Sequence, residues 1–199
     1  MAFLIALVFS ICGFALPPDP EPLPIMSPED LVGGGYVVFF RHAKRDECPA
    51  DVLLPLDKAE TCAPCSELNS AGLQDTAKIA AKIASLSIPT DLSFASQTCR
   101  TRQMADLVSS HHYEVRRELC YRAIYQEGEV SILPVRLKEL VSTLPAPGTN
   151  TFMYSHAPTA QALGPPAPGL VAGDALIIQP LGQSQYTLVG IIPLRKWLE

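Results

Sequence analysis

Apolar and polar positions follow two different periods along this chain. Residues 36–40, YVVFF, form an unbroken apolar run after three glycines. Such a run suits a strand covered on both faces. The stretch SELNSAGLQDTAKIAAKIASLSI changes period. Leu73, Ala77, Ile79, Ala80, Ile83 and Leu86 recur at helical spacing, with Lys78 and Lys82 turned outward. That pattern predicts an amphipathic helix with this apolar stripe facing inward. TDLSFAS predicts a second strand, CRTRQMADLVSSH a second helix and NTFMYSHA a third strand. EVSILPVRLKELVSTL predicts a third helix with Pro134 in its early part. SPEDLV reads as a short helix start, capped by Ser27 with Pro28 in the first turn. DALIIQPL and YTLVGIIPL predict two final strands paired as a hairpin. Strands alternating with helices imply an α/β three-layer sandwich: a mostly parallel central sheet, helices on both faces, and an antiparallel edge from the hairpin. The chain shows no internal repeat and no second domain.

Composition narrows this picture. The net charge of −5 argues against a nucleic-acid surface, which needs a basic stripe. Nineteen prolines favour short elements and rigid loops. The opening MAFLIALVFSICGFALPP reads as a secretory signal over residues 1–16, with small residues for cleavage near Ala15. Its apolar run is shorter than the roughly 20 residues of a membrane span, so no stable span is expected. A Pro-rich linker follows over 17–31, and the folded domain occupies 32–199. Export makes disulfides plausible. Removal of the signal leaves Cys48, Cys62, Cys65, Cys99 and Cys120, an odd set in which one thiol stays unbridged within the chain. CAPC at 62–65 has redox spacing but lies in a Pro-broken loop, so structural disulfides are preferred over redox or zinc chemistry.

The chemistry gathers at the strand ends. Active sites of open α/β sheets lie beyond the carboxyl ends of the strands. Arg41 and His42 follow the first strand, Ser96 and then Arg100 the second, Ser155 and His156 the third. Two arginines and two histidines thus meet at one sheet edge. Arginine forks match phosphate oxygens and stay charged. A neutral histidine can attack phosphorus, and a second can stabilise the transferring group. No metal or other cofactor is implied. Ser96 reads as a residue that orders its loop. His111 and His112 read as a favourable helix C-terminus rather than a metal pair.

The segments FFRHAKR, LNSAGLQDTA, FASQTCRTRQMA and YSHA, in this order and spacing, resemble the histidine phosphatase superfamily, phosphoglycerate-mutase-like branch. The likeness covers roughly residues 35–192, and is greatest to small exported members with a GGYV-x-x-FRHA segment. It implies a phosphoglycerate-mutase-like fold and a phosphatase acting on a small phosphorylated substrate. His42 matches the histidine that accepts phosphate, and His156 the second histidine. Arg41 and Arg100 match the phosphate arginines, and Arg45 sits near a position that adds a polar contact. Met104 replaces the usual Thr, a change of packing. For the proton donor, Glu118, Glu127 and Glu129 are candidates. A disulfide from Cys99 to Cys62 or Cys65 would tie the long loop to the phosphate pocket. Two other readings stay open: an anion-binding module of the same fold without turnover, and a thiol-disulfide protein using CAPC.

Overall fold

The computed structural model describes residues 21–47, 62, 66–120, 133–165 and 169–199. The expected signal, residues 17–20 of the linker, Cys48, Cys65, Glu127 and Glu129 lie outside the described residues. A six-stranded mixed sheet forms the middle layer, in the order β3-β2-β4-β1-β5-β6. Its strands are β1 (Val37–Arg41), β2 (Thr90–Ala95), β3 (Glu114–Val115), β4 (Asn150–Ser155), β5 (Ala175–Gly182) and β6 (Gln185–Ile192). β1, β2, β3 and β4 run parallel, and β5 with β6 adds the antiparallel edge. The helices are α1 (Ser70–Ser85), α2 (Cys99–Val108), α3 (Leu133–Ser142), α4 (Ala157–Gln161) and α5 (Leu194–Leu198). β3 and α5 had no sequence signal, being two and five residues long.

Strand alternation sorts the core into two layers. Val38 and Phe40 of β1, Phe152 and Tyr154 of β4, and Ile177 of β5 face one side, where Ile79, Ile83, Met104 and Trp197 cover them. Val37, Phe39, Met153 and Leu176 face the other, against Leu137, Val141 and Ala160. Both faces are therefore buried, as the apolar runs required. Phe40 stacks on Tyr154 at 5.6 Å between ring centres and meets Trp197 at 5.4 Å, holding β1 rigid up to its tip.

The stripe expected on α1 is corrected. Leu73 is 39% exposed and Ala77 is exposed as well. The buried face carries Gly72, Asp75, Thr76, Ile79 and Ile83. The cause lies at the helix N-terminus. Asn69 caps it by accepting from the Gly72 N–H at 2.9 Å, and the Asn69 N–H donates to the Lys44 carbonyl at 3.1 Å. A Cβ on Gly72 would sit 2.0 Å from that carbonyl oxygen, so this position must be glycine. Contact with the loop after β1, rather than apolar content, sets the rotation of the helix.

At the far edge, residues 24–26 cross β6. The Ile191 N–H donates to the Pro24 carbonyl at 2.9 Å, and the Met26 N–H donates to the Ile191 carbonyl at 2.8 Å. Ser27 precedes a short 3-10 turn, Pro28–Leu31, and its N–H donates to Asp30 Oδ2 at 2.8 Å. Among the described residues no helix is long and apolar enough to cross a membrane.

Candidate active site

Pairing aligns three strand tips. Arg41 lies beside Ser155, and Ala95 beside Tyr154. The His42 N–H donates to the Ser155 carbonyl at 3.0 Å, and the Ser96 N–H to the Tyr154 carbonyl at 3.0 Å. The residues following β1, β2 and β4 therefore open on one cleft of about 370 Å³, lined by Arg41, His42, Arg45, Arg100 and His156 among others. A larger groove of about 560 Å³ lies away from it, near Lys138, Leu163 and Tyr186. Its lining has no histidine or arginine, and we assign it no chemistry.

The two histidine rings stand 5.2 Å apart at 67°. His42 is 6% exposed, and its Nδ1 lies 2.8 Å from the Ala43 carbonyl oxygen. A carbonyl can only accept, so Nδ1 carries the hydrogen and Nε2 the lone pair. Burial first, then the positive charge of Arg100, push the His42 pKa down to about 3. At ordinary pH the ring is neutral. His156 is 2% exposed, and burial with Arg100 also holds its pKa well below the usual value. Its Nε2 lies 2.9 Å from Ser96 Oγ, and its Nδ1 lies 3.5 Å from Arg100 Nη2.

Each arginine is tied to backbone. Arg41 Nη1 donates to the Leu170 carbonyl, and its backbone N–H to the Asp174 carbonyl at 2.9 Å. Burial lowers the Arg41 pKa, Asp174 opposes that shift, and Arg45 adds to it. Arg100 is buried on the first turn of α2, and its N–H donates to the Ser66 carbonyl at 3.1 Å. The preceding residue, Cys99, forms a disulfide with Cys62 at 4.9 Å between Cα atoms. Of the two partners open to Cys99, the structure joins Cys62, so Cys62 and Cys65 are not a bonded pair and the redox reading of CAPC loses its first thiol. Cys120 is a buried thiol.

Lys44 and Arg45, the two basic residues after Ala43, have different partners. Lys44 Nζ lies 3.4 Å from Asp75 Oδ2 on α1, whereas Arg45 Nη1 donates to the Asp46 carbonyl at 2.9 Å. Both line the cleft. Glu118 is not brought there; it lines a small apolar pocket with Cys120, Leu133 and Pro158. Met104 is fully buried in the core. His111 lies just beyond α2, with Nδ1 2.8 Å from Asp106 Oδ1. Sequence reading missed Asp46 and Glu47, carboxylates on the cleft wall. Their position directly after the RHAKR segment was the available signal. It also missed the partnership of Ser96 with His156, which only the pairing of β2 with β4 creates. Among the described residues no group of three or more His, Cys, Asp or Glu side chains is placed to hold a metal ion.

The parallel strands, the antiparallel edge and the cleft define an α/β protein that gathers arginines and histidines at its strand tips. Its fold is that of the histidine phosphatase superfamily, phosphoglycerate-mutase-like. Among solved structures, the chain is similar to the protein histidine phosphatase SixA complexed with tungstate (TM-score 0.55, 15% identity, 80% of this chain and 97% of that one). It is similar to the alpha-ribazole phosphatase from Shigella flexneri (TM-score 0.54, 13% identity, 80% and 96%). It is also similar to a phosphoserine phosphatase mutant from Entamoeba histolytica in complex with phosphoserine (TM-score 0.52, 9% identity, 81% and 98%). No protein-family model and no curated protein matches the chain.

Proposed function

We propose that the protein is a phosphatase that hydrolyses phosphate monoesters without a metal ion, through a phosphohistidine on His42. One observation carries this reading. The Ala43 carbonyl holds the Nδ1 hydrogen of a buried, neutral His42, which leaves Nε2 as a lone pair in a cleft that also holds Arg41 and Arg100. Nε2 attacks phosphorus as the ester P–O bond breaks. Arg41, Arg100 and His156 neutralise the oxygens of the transferring group. The leaving oxygen takes a proton from a protonated carboxyl group of the rim, where Asp46 and Glu47 stand among the described residues, and the carboxylate so formed takes a proton from the attacking water. Water then attacks the phosphohistidine, releasing phosphate and restoring Nε2. The phosphatase names of the similar structures support the reaction class, and tungstate in one of them is an oxyanion of the same charge type. We read Arg45 as a further polar contact at the mouth. We also propose export, which the Cys62–Cys99 disulfide supports through its need for an oxidising compartment.

The test is turnover on a panel of phosphoesters in the presence of chelator, beside His42→Ala. Turnover in chelator that disappears in the variant is expected. Activity unchanged in the variant, or strictly dependent on metal, overturns the mechanism. Phosphate affinity without product identifies an anion-binding module instead.

A further inference from the structure

Three hydroxyls lie fully buried where β2 enters α2: Ser96, Thr98 and Thr101. The Thr101 hydrogen can be directed from its partners, whereas Thr98 Oγ1 lies near Ser96 Oγ (3.2 Å), Thr101 Oγ1 (2.9 Å) and His156 Nε2 (3.4 Å). Thr101 Oγ1 lies 2.9 Å from the Ser96 carbonyl and 2.8 Å from the Thr98 carbonyl. Carbonyls only accept, so the Thr101 hydrogen is committed to them and its oxygen is left to accept. Ser96 Oγ lies 2.9 Å from that oxygen and 2.9 Å from His156 Nε2. On the other side of the ring, Nδ1 faces Arg100 Nη2, and a guanidinium only donates. A neutral imidazole has one hydrogen to place. With a donor at Nδ1, that hydrogen sits on Nε2. Donation therefore runs from His156 to Ser96, on through the Ser96, Thr98 and Thr101 hydroxyls, and from Thr101 to backbone.

This direction has a consequence for anion binding, resting on the phosphatase reading above. Nδ1 presents a lone pair to Arg100, the group that would seat a phosphate oxygen. A lone pair repels that oxygen; a hydrogen there attracts it. We propose that His156 takes up one proton on Nδ1 when a tetrahedral oxyanion seats in the cleft, and that Ser96 is the positioning residue that keeps the other hydrogen on Nε2. The proton comes from a monoanionic phosphoester or from solvent, and no bond to phosphorus changes in this step. The groups around the ring include Arg41 at the end of β1, His42 and Arg45 after it, Arg100 from α2, the Ser96 and Thr98 hydroxyls, and the Cys120 thiol, 4.0 Å from Nε2; Asp46 and Glu47 line the same cleft. The charged groups that hold the ring neutral are cationic, so proton uptake waits for an anion in the cleft. The cleft thus selects the oxyanion together with a proton, and its affinity rises toward acid pH.

Two measurements on the full chain test this. Long-range proton–nitrogen spectra of 15N-histidine-labelled protein report the tautomer of each ring. The expected pattern is Nε2–H on His156 and Nδ1–H on His42 without ligand, with both His156 nitrogens protonated on adding sulfate. Sulfate is chosen because its charge is fixed across this range, so any proton must enter the protein. Calorimetry of sulfate binding in buffers of different ionisation enthalpy should show uptake of about one proton, with affinity rising up to about tenfold per pH unit from 7 to 5. In Ser96→Ala the Nε2–H loses its acceptor, so its signal shifts or broadens, and the alkaline limb of phosphoester turnover moves to lower pH. An Nδ1–H tautomer in unliganded wild-type protein, or sulfate binding without proton uptake, overturns the proposal while phosphoester turnover leaves the phosphatase reading standing. A Ser96→Ala profile and spectrum identical to wild type overturns it as well. Absence of turnover with the expected tautomer and proton uptake instead sinks the phosphatase reading and supports the proposal.

Discussion

The tips of β1 and β4 carry the same residue type, adjacent and equally buried, yet hold it in opposite ways. His42 gives its Nδ1 hydrogen to the carbonyl of its own neighbour, Ala43. His156 is held through Nε2 by a hydroxyl from another strand end. The first arrangement is local and, in the proposed mechanism, frees Nε2 for attack. The second is long-range and leaves Nδ1 toward Arg100. The difference teaches that residue identity does not decide a histidine's task. The nitrogen that the scaffold occupies does.

The largest expected effect separates the two rings directly. His42→Ala should cut turnover at least about a thousandfold and abolish acid-trapped phosphoenzyme from labelled substrate. His156→Ala should cost about a hundredfold and still form phosphoenzyme. Phosphoenzyme in the first variant and none in the second would reverse the assignment. Next comes the support of the Arg100 side. Cys62→Ser removes the bridge to Cys99 and should cost about 2–4 kcal/mol, read from the urea midpoint, with KM raised more than kcat is lowered. Unchanged stability would show that the tether does not bear on α2. On the His42 side, Gly72→Ala drives a methyl group against the Lys44 carbonyl. A loss of about 1–3 kcal/mol in thermal unfolding and a lower kcat are expected. The smallest effect is in pH. His42 binds a proton near 6.5 when unfolded but only near 3 when folded, so its stabilising contribution is complete above 6.5 and is lost as pH falls from 6.5 toward 3. Between pH 6.5 and 4 the slope of stability against pH should be shallower in His42→Gln than in wild type, by up to about 1.4 kcal/mol per unit. Equal slopes would place the sensitivity elsewhere.

The fold was legible wherever burial was two-sided. VVFF and ALII of β5 read as plain apolar runs, because both faces of the sheet are covered there. The strand-tip residues were legible for a related reason: chemistry-bearing side chains directly after apolar runs have few structural explanations. α1 was legible as a helix but not in its rotation, since Gly72 and Thr76 are buried for backbone contact and hydrogen bonding and carry no apolar signal. Thr76 Oγ1 donates to the Gly72 carbonyl at 2.7 Å. Ser96 was read as a loop-ordering residue, which it is, but its partner lies 60 positions away and appears only when β2 and β4 pair. The partner of Lys44, Asp75, likewise appears only when α1 packs beside the loop after β1.

The margins of the sheet bear on a property unrelated to catalysis. An unpaired strand edge recruits other chains, and long flat edges lead to aggregation. Here one margin is β3, two residues long, which offers little length for an incoming strand. At the other, residues 24–26 lie across β6 at Ile191 and occupy its N–H and carbonyl. Pro24 has no N–H to extend that pairing, so it ends after a single bridge. A few residues ahead of the first strand thereby guard the colloidal behaviour of the whole domain, leaving a foreign strand no continuous ladder at that end of the edge.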